Sequence, residues 1–283
     1  MHERALAYPS GDAWLYGILS LPAASAVPAA LGVVIVVGGP QYRAGSHRQF
    51  ALLARELAAA GIPVLRFDYA GMGDSDGATC GFEHAARDIR ASIDRFFAET
   101  PGLERVALWG LCDGATAAAL YAPDDARVAG VALLNPWVRT EQGAARATIR
   151  HYYRARLFDR GLWRKIARGQ FDWRAAFGAL WRTLGTARAS AASGPAAPET
   201  SDLPSRMLGA LQGFQGPVLL LLSGADLTAR EFDDLAATPG PWRRLLDDGR
   251  FARHAIERAD HTLSRREWHE QAVDVTRRWL RSL

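Results

Sequence analysis

Cys112 stands at the centre of Gly110-Leu111-Cys112-Asp113-Gly114, between a short apolar run, Val106–Trp109, and an alanine-rich stretch, Ala115–Tyr121. Glycines two positions to either side of a nucleophile mark a sharp strand-to-helix turn, which closes only where its neighbours are small. The helix that follows would aim the positive end of its dipole at the sulfur and favour the thiolate, the nucleophilic form. Further along, Asp226 ends Ser223-Gly224-Ala225-Asp226, directly after the apolar run Pro217–Leu222. His261 follows in Ala259-Asp260-His261-Thr262, just before a terminal helical pattern. Nucleophile, acid and base therefore occur in that chain order, each past the end of a strand-like segment. The predicted chemistry is acyl transfer. His261 takes the Cys112 proton or pairs with the thiolate, Asp226 orients the ring, and the sulfur attacks an ester or thioester carbonyl.

Each residue also has a plainer reading. Cys112 could be an ordinary buried cysteine in a strand-helix turn, and Asp226 could cap a helix beginning near Thr228. Asp233 and Asp234 compete for the acid role but lie further from the strand end. Of the other histidines, His84 precedes the turn, while His254 and His269 fall inside predicted elements. Cys80 has no helix start or base nearby. A tetrahedral intermediate also needs two backbone N–H groups aimed at its oxyanion. Asp113, the residue after the sulfur, should supply one. The second should come from the loop after Val37; Pro40 has no N–H, which leaves Gln41 or Gly39, with Gln41 preferred. The Asp113 carboxylate is a puzzle, since a negative charge beside a thiolate disfavours it. His47, Arg43 and Trp137 are the candidate substrate contacts.

The elements that must position these groups alternate along the chain. Leu31–Val37, Pro63–Phe67, Val106–Trp109, Val128–Leu134 and Pro217–Leu222 read as strands, with a weaker one at about Ala252–Arg258. The run Leu31–Val37 is apolar throughout, as suits a strand buried on both faces of a parallel sheet. Ser46 and Gln49 read as a capping box opening a helix with Phe50, Leu53 and Leu57 on one face and an end near Gly61. Further helices are expected over Glu83–Glu99, Ala115–Tyr121 and from about Arg265 to the end. Strand and helix alternating at this spacing indicate a mainly parallel, doubly wound sheet. From about Arg139 to Leu184 only helical periodicity occurs, as in Tyr152, Tyr153, Trp173 and Trp181, which predicts an inserted helical cap. Gly185–Ser205, rich in Ala, Ser, Pro and Gly, reads as a linker. The expected layout is core over 1–136, cap and linker over 137–205, and core again over 206–283.

With 49% hydrophobic and 23% charged residues, the chain of 283 has a globular composition. No apolar window reaches the length of a membrane span, so stable insertion is not expected. The N-terminus lacks the basic and apolar regions of a secretory leader, which makes the cytoplasm the expected location. Two cysteines outside any CxxC or zinc spacing predict neither a disulfide framework nor a metal site, and no cofactor is expected. The net charge is +4, yet Trp137–Arg206 alone holds 13 Arg and Lys against 5 Asp and Glu. That segment could face an anionic small-molecule substrate or be a solvated helical surface. No nucleic-acid-binding motif accompanies it.

Three stretches carry a family resemblance: Gly38-Gly39-Pro40-Gln41-Tyr42-Arg43-Ala44-Gly45-Ser46-His47-Arg48, Arg66-Phe67-Asp68-Tyr69-Ala70-Gly71-Met72-Gly73-Asp74-Ser75, and Gly110-Leu111-Cys112-Asp113-Gly114-Ala115. Together they resemble the exosortase A system-associated hydrolase 1 group, α/β-hydrolases found near exopolysaccharide and exosortase genes in Gram-negative bacteria. The resemblance spans nearly the whole chain and is weakest in the cap and linker. It implies an α/β-hydrolase fold and a triad with a cysteine or serine nucleophile, without a substrate. Ala70 departs from the related D-x-R-G-x-G-x-S loop, where arginine is usual. The cysteine motif is also similar to that of polyhydroxyalkanoate synthases, which leaves an acyltransferase open, and dienelactone hydrolases share the cysteine too. A binding protein on a hydrolase fold is the remaining alternative.

Overall fold

The computed structural model of the chain describes residues 1–23, 30–38, 41–79, 81–138 and 203–283. The chain divides into two compact units, Met1–Val138 with Ser205–Leu283, and Arg139–Pro204. The expected helical cap and nearly all of the expected linker fall on residues 139–202, outside the described residues. The linker's last residues, Leu203–Ser205, are instead helical.

The first unit is built on an eight-stranded sheet. Its strands are β1 (His2–Ser10), β2 (Ala13–Leu21), β3 (Leu31–Val36), β4 (Val64–Phe67), β5 (Arg105–Leu111), β6 (Val128–Leu134), β7 (Val218–Ser223) and β8 (Phe251–Ile256). They lie in the order β1-β2-β4-β3-β5-β6-β7-β8. From β4 to β8 every pairing is parallel; β1 and β2 form an antiparallel hairpin whose second strand pairs antiparallel with β4. The described helices are α1 (Gln49–Ala59), α2 (Ala86–Glu99), α3 (Asp113–Tyr121), α4 (Leu203–Gly213), α5 (Leu227–Ala237), α6 (Pro241–Leu246) and α7 (Arg266–Leu280). None is long and apolar enough to cross a membrane.

Strand β3 shows why the centre of the sheet is so apolar. Its successive residues point to opposite faces. Val34 and Val36 join one core with Ile89, Ile93 and Phe96 of α2 and Ala115 and Ala118 of α3. Val33 and Ile35 join another with Phe50, Leu53 and Leu57 of α1 and Val275 and Trp279 of α7. A strand covered by helices on both sides needs an apolar residue at every position, and none of these four valine and isoleucine side chains is exposed.

One pair of strands was not anticipated, and one local expectation fails. The β1–β2 hairpin gave no apolar run to read. It is an edge ribbon whose exposed positions, such as Trp14, interrupt the buried Leu6, Tyr8, Leu15 and Leu19. The capping box over Ser46 and Gln49 does not form. Ser46–Arg48 makes a single 3-10 turn, His47 and Arg48 take left-handed φ of 53° and 62°, and α1 starts at Gln49 with no side-chain cap. The N–H groups a serine cap would have satisfied are already paired, that of Arg48 with the Gly45 carbonyl at 3.1 Å and that of Gln49 with the Ser46 carbonyl.

Candidate active site

The elbow between β5 and α3 is held in a conformation L-residues avoid. Cys112 has φ 60° and ψ −125°, which costs on the order of 1–3 kcal/mol and persists only where the surroundings enforce it. Its N–H donates to the Leu134 carbonyl at 2.9 Å, and its own carbonyl accepts from the N–H groups of Thr116 and Trp137, each at 3.2 Å. Three glycines let the pieces meet. A Cβ on Gly110 would lie 2.5 Å from the Gly114 carbonyl carbon, one on Gly38 would lie 2.6 Å from the Leu111 oxygen, and one on Gly114 would lie 2.8 Å from the Gly38 nitrogen. The Asp113 carboxylate turns back on its own helix, with Oδ1 accepting from Gly114 N–H at 3.0 Å. That contact answers the puzzle of its charge: the group is engaged at the first turn of α3. The sulfur itself is half-buried, and Cys80 lies outside the described residues.

Asp226 follows β7 and is buried. It caps α5, with Oδ1 accepting from Thr228 N–H (3.3 Å) and Oδ2 from Ala229 N–H (3.2 Å). The same Oδ2 lies 2.9 Å from Nδ1 of His261. The two readings of Asp226, helix cap and partner of a histidine, are therefore both realised by one carboxylate. The competing acids are elsewhere: Asp233 pairs with Arg253 at 2.7 Å, and the Asp234 carbonyl accepts from Thr238.

His261 sits in the loop between β8 and α7, which is shaped by Asp260. That carboxylate accepts from the N–H groups of Thr262 (3.2 Å) and Ser264 (3.0 Å). The His261 ring is hydrogen-bonded to Asp226, and Cys112 is near enough to act on its titration. With Nδ1 committed to the carboxylate, Nε2 is the nitrogen left for the sulfur. These partners, Asp226 first, outweigh the opposing effect of burial and push the ring's pKa up to about 10. The ring therefore carries its proton at neutral pH. His254 and His269 face other partners, Gln271 and the Gln49 carbonyl.

Arg43 does not stand free for a substrate. Its guanidinium pairs with fully buried Asp68 and, at 2.7 Å, with Asp74, while its main-chain N–H donates to Asp68 Oδ1 at 2.7 Å. The Tyr42 ring lies 4.3 Å from the guanidinium carbon, and the Tyr42 hydroxyl donates to Asp74 at 2.7 Å. Its charge is matched by two carboxylates, which makes it a brace between the loops after β3 and β4 rather than an anion ligand. His47 is exposed and close enough to Asp260 to help lower that carboxyl's pKa. Burial opposes the shift, and the Ser264 hydrogen bonds do most of the lowering. It therefore lies at the rim, beside the residue that precedes His261. Trp137 is half-buried, and its main chain is tied to the elbow: its N–H reaches the Cys112 carbonyl, and its carbonyl accepts from Thr116 Oγ1 at 2.7 Å. Gln41 is half-buried, and its Oε1 is a buried oxygen with no hydrogen-bond partner among the described residues. Gly39 and Pro40 lie outside the described residues.

Sequence reasoning overlooked Asn135. It is fully buried after β6, and its amide reaches both Ser223 and the His261 carbonyl. The available signal was a polar residue followed by proline at the end of an apolar strand.

The serine aminopeptidase S33 family matches residues 29–168, a stretch that includes Cys112 but neither Asp226 nor His261. No curated protein matches the chain. Among solved structures it is similar to an esterase of Pyrococcus furiosus at 13% identity, with 99% of this chain and 91% of that one covered and a TM-score of 0.65. It is also similar to Est1E of Butyrivibrio proteoclasticus, solved with ferulic acid bound, at 15% identity, 98% coverage of each chain and a TM-score of 0.64. A dienelactone hydrolase of Anabaena variabilis aligns at 15% identity over 99% of this chain and 97% of its own, with a TM-score of 0.60. With the strand order above, these likenesses show the α/β-hydrolase fold.

Proposed function

We propose that this α/β-hydrolase-fold chain is an enzyme that cleaves a carboxylic ester or thioester through an acyl-cysteine on Cys112. The observation that carries the proposal is a histidine held 2.9 Å from a buried carboxylate, His261 on Asp226, with the strained elbow cysteine among the groups that act on its titration. A cysteine kept only for packing needs neither a strained φ of 60° nor a protonated imidazole beside it. The esterase and dienelactone hydrolase likenesses favour ester chemistry on this fold.

In the proposed cycle the Cys112 sulfur attacks the substrate carbonyl carbon, and the thiol proton resides on His261. The carbonyl π electrons move to oxygen, which receives backbone N–H bonds from Asp113 and Gln41. Collapse breaks the bond to the leaving group, which departs with the proton from His261. Water then attacks the thioester, gives a proton back to His261, and releases the free acid with the thiol restored. Asp226 holds the ring's tautomer throughout and stabilises its positive charge. No step requires a cofactor. The substrate is a small acyl ester or thioester. The surplus of Arg and Lys in Trp137–Arg206 favours one with an anionic portion, and His47 and Trp137 are the contacts proposed at the rim. On the three stretches quoted above, we place the chain with the exosortase-associated hydrolases.

A series of p-nitrophenyl esters and acyl-CoA thioesters, assayed on the native protein and Cys112→Ala, tests this reading. Release of free acid should vanish in the variant, and iodoacetamide should label Cys112 and stop turnover at the same rate. Turnover that survives Cys112→Ala would remove the acyl-cysteine. Acyl product on an added alcohol in place of free acid would make the protein an acyltransferase.

A further inference from the structure

Asn135 lies at the end of β6 in the left-handed conformation, φ 47°, which asparagine tolerates better than most residues. Its side chain is fully buried and all of its polar atoms are used. Oδ1 accepts from Ser223 N–H at 2.8 Å; Nδ2 donates to Ser223 Oγ at 3.0 Å and to the His261 carbonyl at 3.3 Å. A buried amide is unfavourable unless every group is satisfied, and an apolar residue would fill a core position without that demand.

The partners are informative because of what they adjoin. Leu134, the residue before Asn135, accepts the Cys112 N–H at 2.9 Å. The Ser223 carbonyl accepts the Asp226 N–H at 3.1 Å. The third partner is the main chain of His261. One side chain is thus tied to the backbone beside the sulfur, the carboxylate and the imidazole, without touching a reacting atom. The loop holding His261 needs such an anchor. It contains two residues with left-handed φ, Arg258 at 61° and Leu263 at 53°, and its own turn is closed by the Asp260 side chain.

We propose that Asn135 is a positioning residue that sets the His261 ring between Asp226 and Cys112 by holding the His261 carbonyl against the ends of β6 and β7. The inference rests on the triad reading above. It adds a group outside the triad, on a strand end that supplies no reacting atom.

Two variants test it. Asn135→Gly accepts the left-handed backbone and removes the amide. Asn135→Asp keeps the shape and the acceptor for Ser223 N–H but turns an oxygen towards the His261 carbonyl. Each would be measured for kcat and KM on p-nitrophenyl acetate, for melting temperature, and by NMR titration of the His261 ring. An angstrom of misplacement costs about 10²-fold in rate. The expected result is therefore kcat lowered about 10²-fold with KM within about twofold, and a ring whose titration departs from the wild-type value, falling below it in Asn135→Gly, while both variants remain folded. Wild-type kcat with an unchanged ring titration would overturn the inference. Loss of the folded state in both variants would also overturn it, assigning the residue to the fold alone. If Cys112→Ala keeps wild-type turnover, the acyl-cysteine reading fails separately. The ring titration then still decides whether Asn135 holds His261.

Discussion

Asp226→Asn separates the two duties of one carboxylate. The amide that replaces it keeps an oxygen for the Thr228 N–H, so part of the cap on α5 should survive. Its negative charge is lost, and its NH2 can face Nδ1 of His261, which would place the ring's proton on the nitrogen meant to accept from the sulfur. The size of the charge effect follows from the ring. Its pKa is raised from 6.5 to about 10, with Asp226 the largest cause. At about 1.4 kcal/mol per unit, that is roughly 5 kcal/mol shared between Asp226 and Cys112. The His261 side chain is 32% exposed, and halving the figure for solvent screening and for the sulfur's share leaves about 2–3 kcal/mol. That amounts to about 10²-fold in rate, and a wrong tautomer extends the loss towards about 10⁴-fold. The assay is steady-state hydrolysis of a p-nitrophenyl ester alongside urea unfolding of Asp226→Asn and Asp226→Ala. Both variants should lose activity. Both should also lose the stability that comes from pairing with His261, and the alanine variant should lose about 1 kcal/mol more, through the missing cap. A kcat/KM for Asp226→Asn within threefold of wild type would refute the role given to this carboxylate.

Further predictions concern pH and packing. Because the folded-state pKa of His261 is raised, its contribution to stability is complete below about pH 6.5 and disappears as pH climbs towards about 10; the stability difference between wild type and His261→Gln should narrow across that window in urea titrations. Glu3 behaves oppositely. Burial resists its ionisation, but Arg55 and Arg66 outweigh it and bring its pKa to about 2, so its contribution is present above about pH 4.5 and fades towards 2. Glu3→Gln should flatten the acid limb of the wild-type stability profile, and an unchanged limb would show the two arginines idle. Arg43→Ala would leave fully buried Asp68 without its charge partner and should cost about 3–5 kcal/mol in chemical denaturation; a loss below about 1 kcal/mol would show Asp68 solvated. Gly114→Ala puts a methyl 2.8 Å from the Gly38 nitrogen and against the Val36 carbonyl, where only backbone could move. A loss of about 3 kcal/mol or no folded protein is expected, and a melting temperature equal to wild type would contradict the packing of the elbow.

The amino-acid sequence by itself determined the features that rest on local composition. Strands β3 to β7 were legible because buried parallel strands are apolar at nearly every position, β8 only weakly because it lies at the sheet edge with Arg253 and His254 in it, and the elbow because a turn that tight needs Gly110 and Gly114. Cys112, Asp226 and His261 could be picked out from their order and their places past strand ends. Tertiary structure alone decided whatever depends on partners distant in the chain. It gave Arg43 to Asp68 and Asp74 instead of to solvent, and it met the N–H groups of Arg48 and Gln49 with main-chain carbonyls, so Ser46 had no cap to make. It let one carboxylate serve both α5 and His261, and it brought Asn135 into contact with the His261 loop. Side-chain type and spacing fix what a residue can bond. Which partner lies within 3 Å is set by how the sheet brings its strand ends together, and no local pattern encodes that.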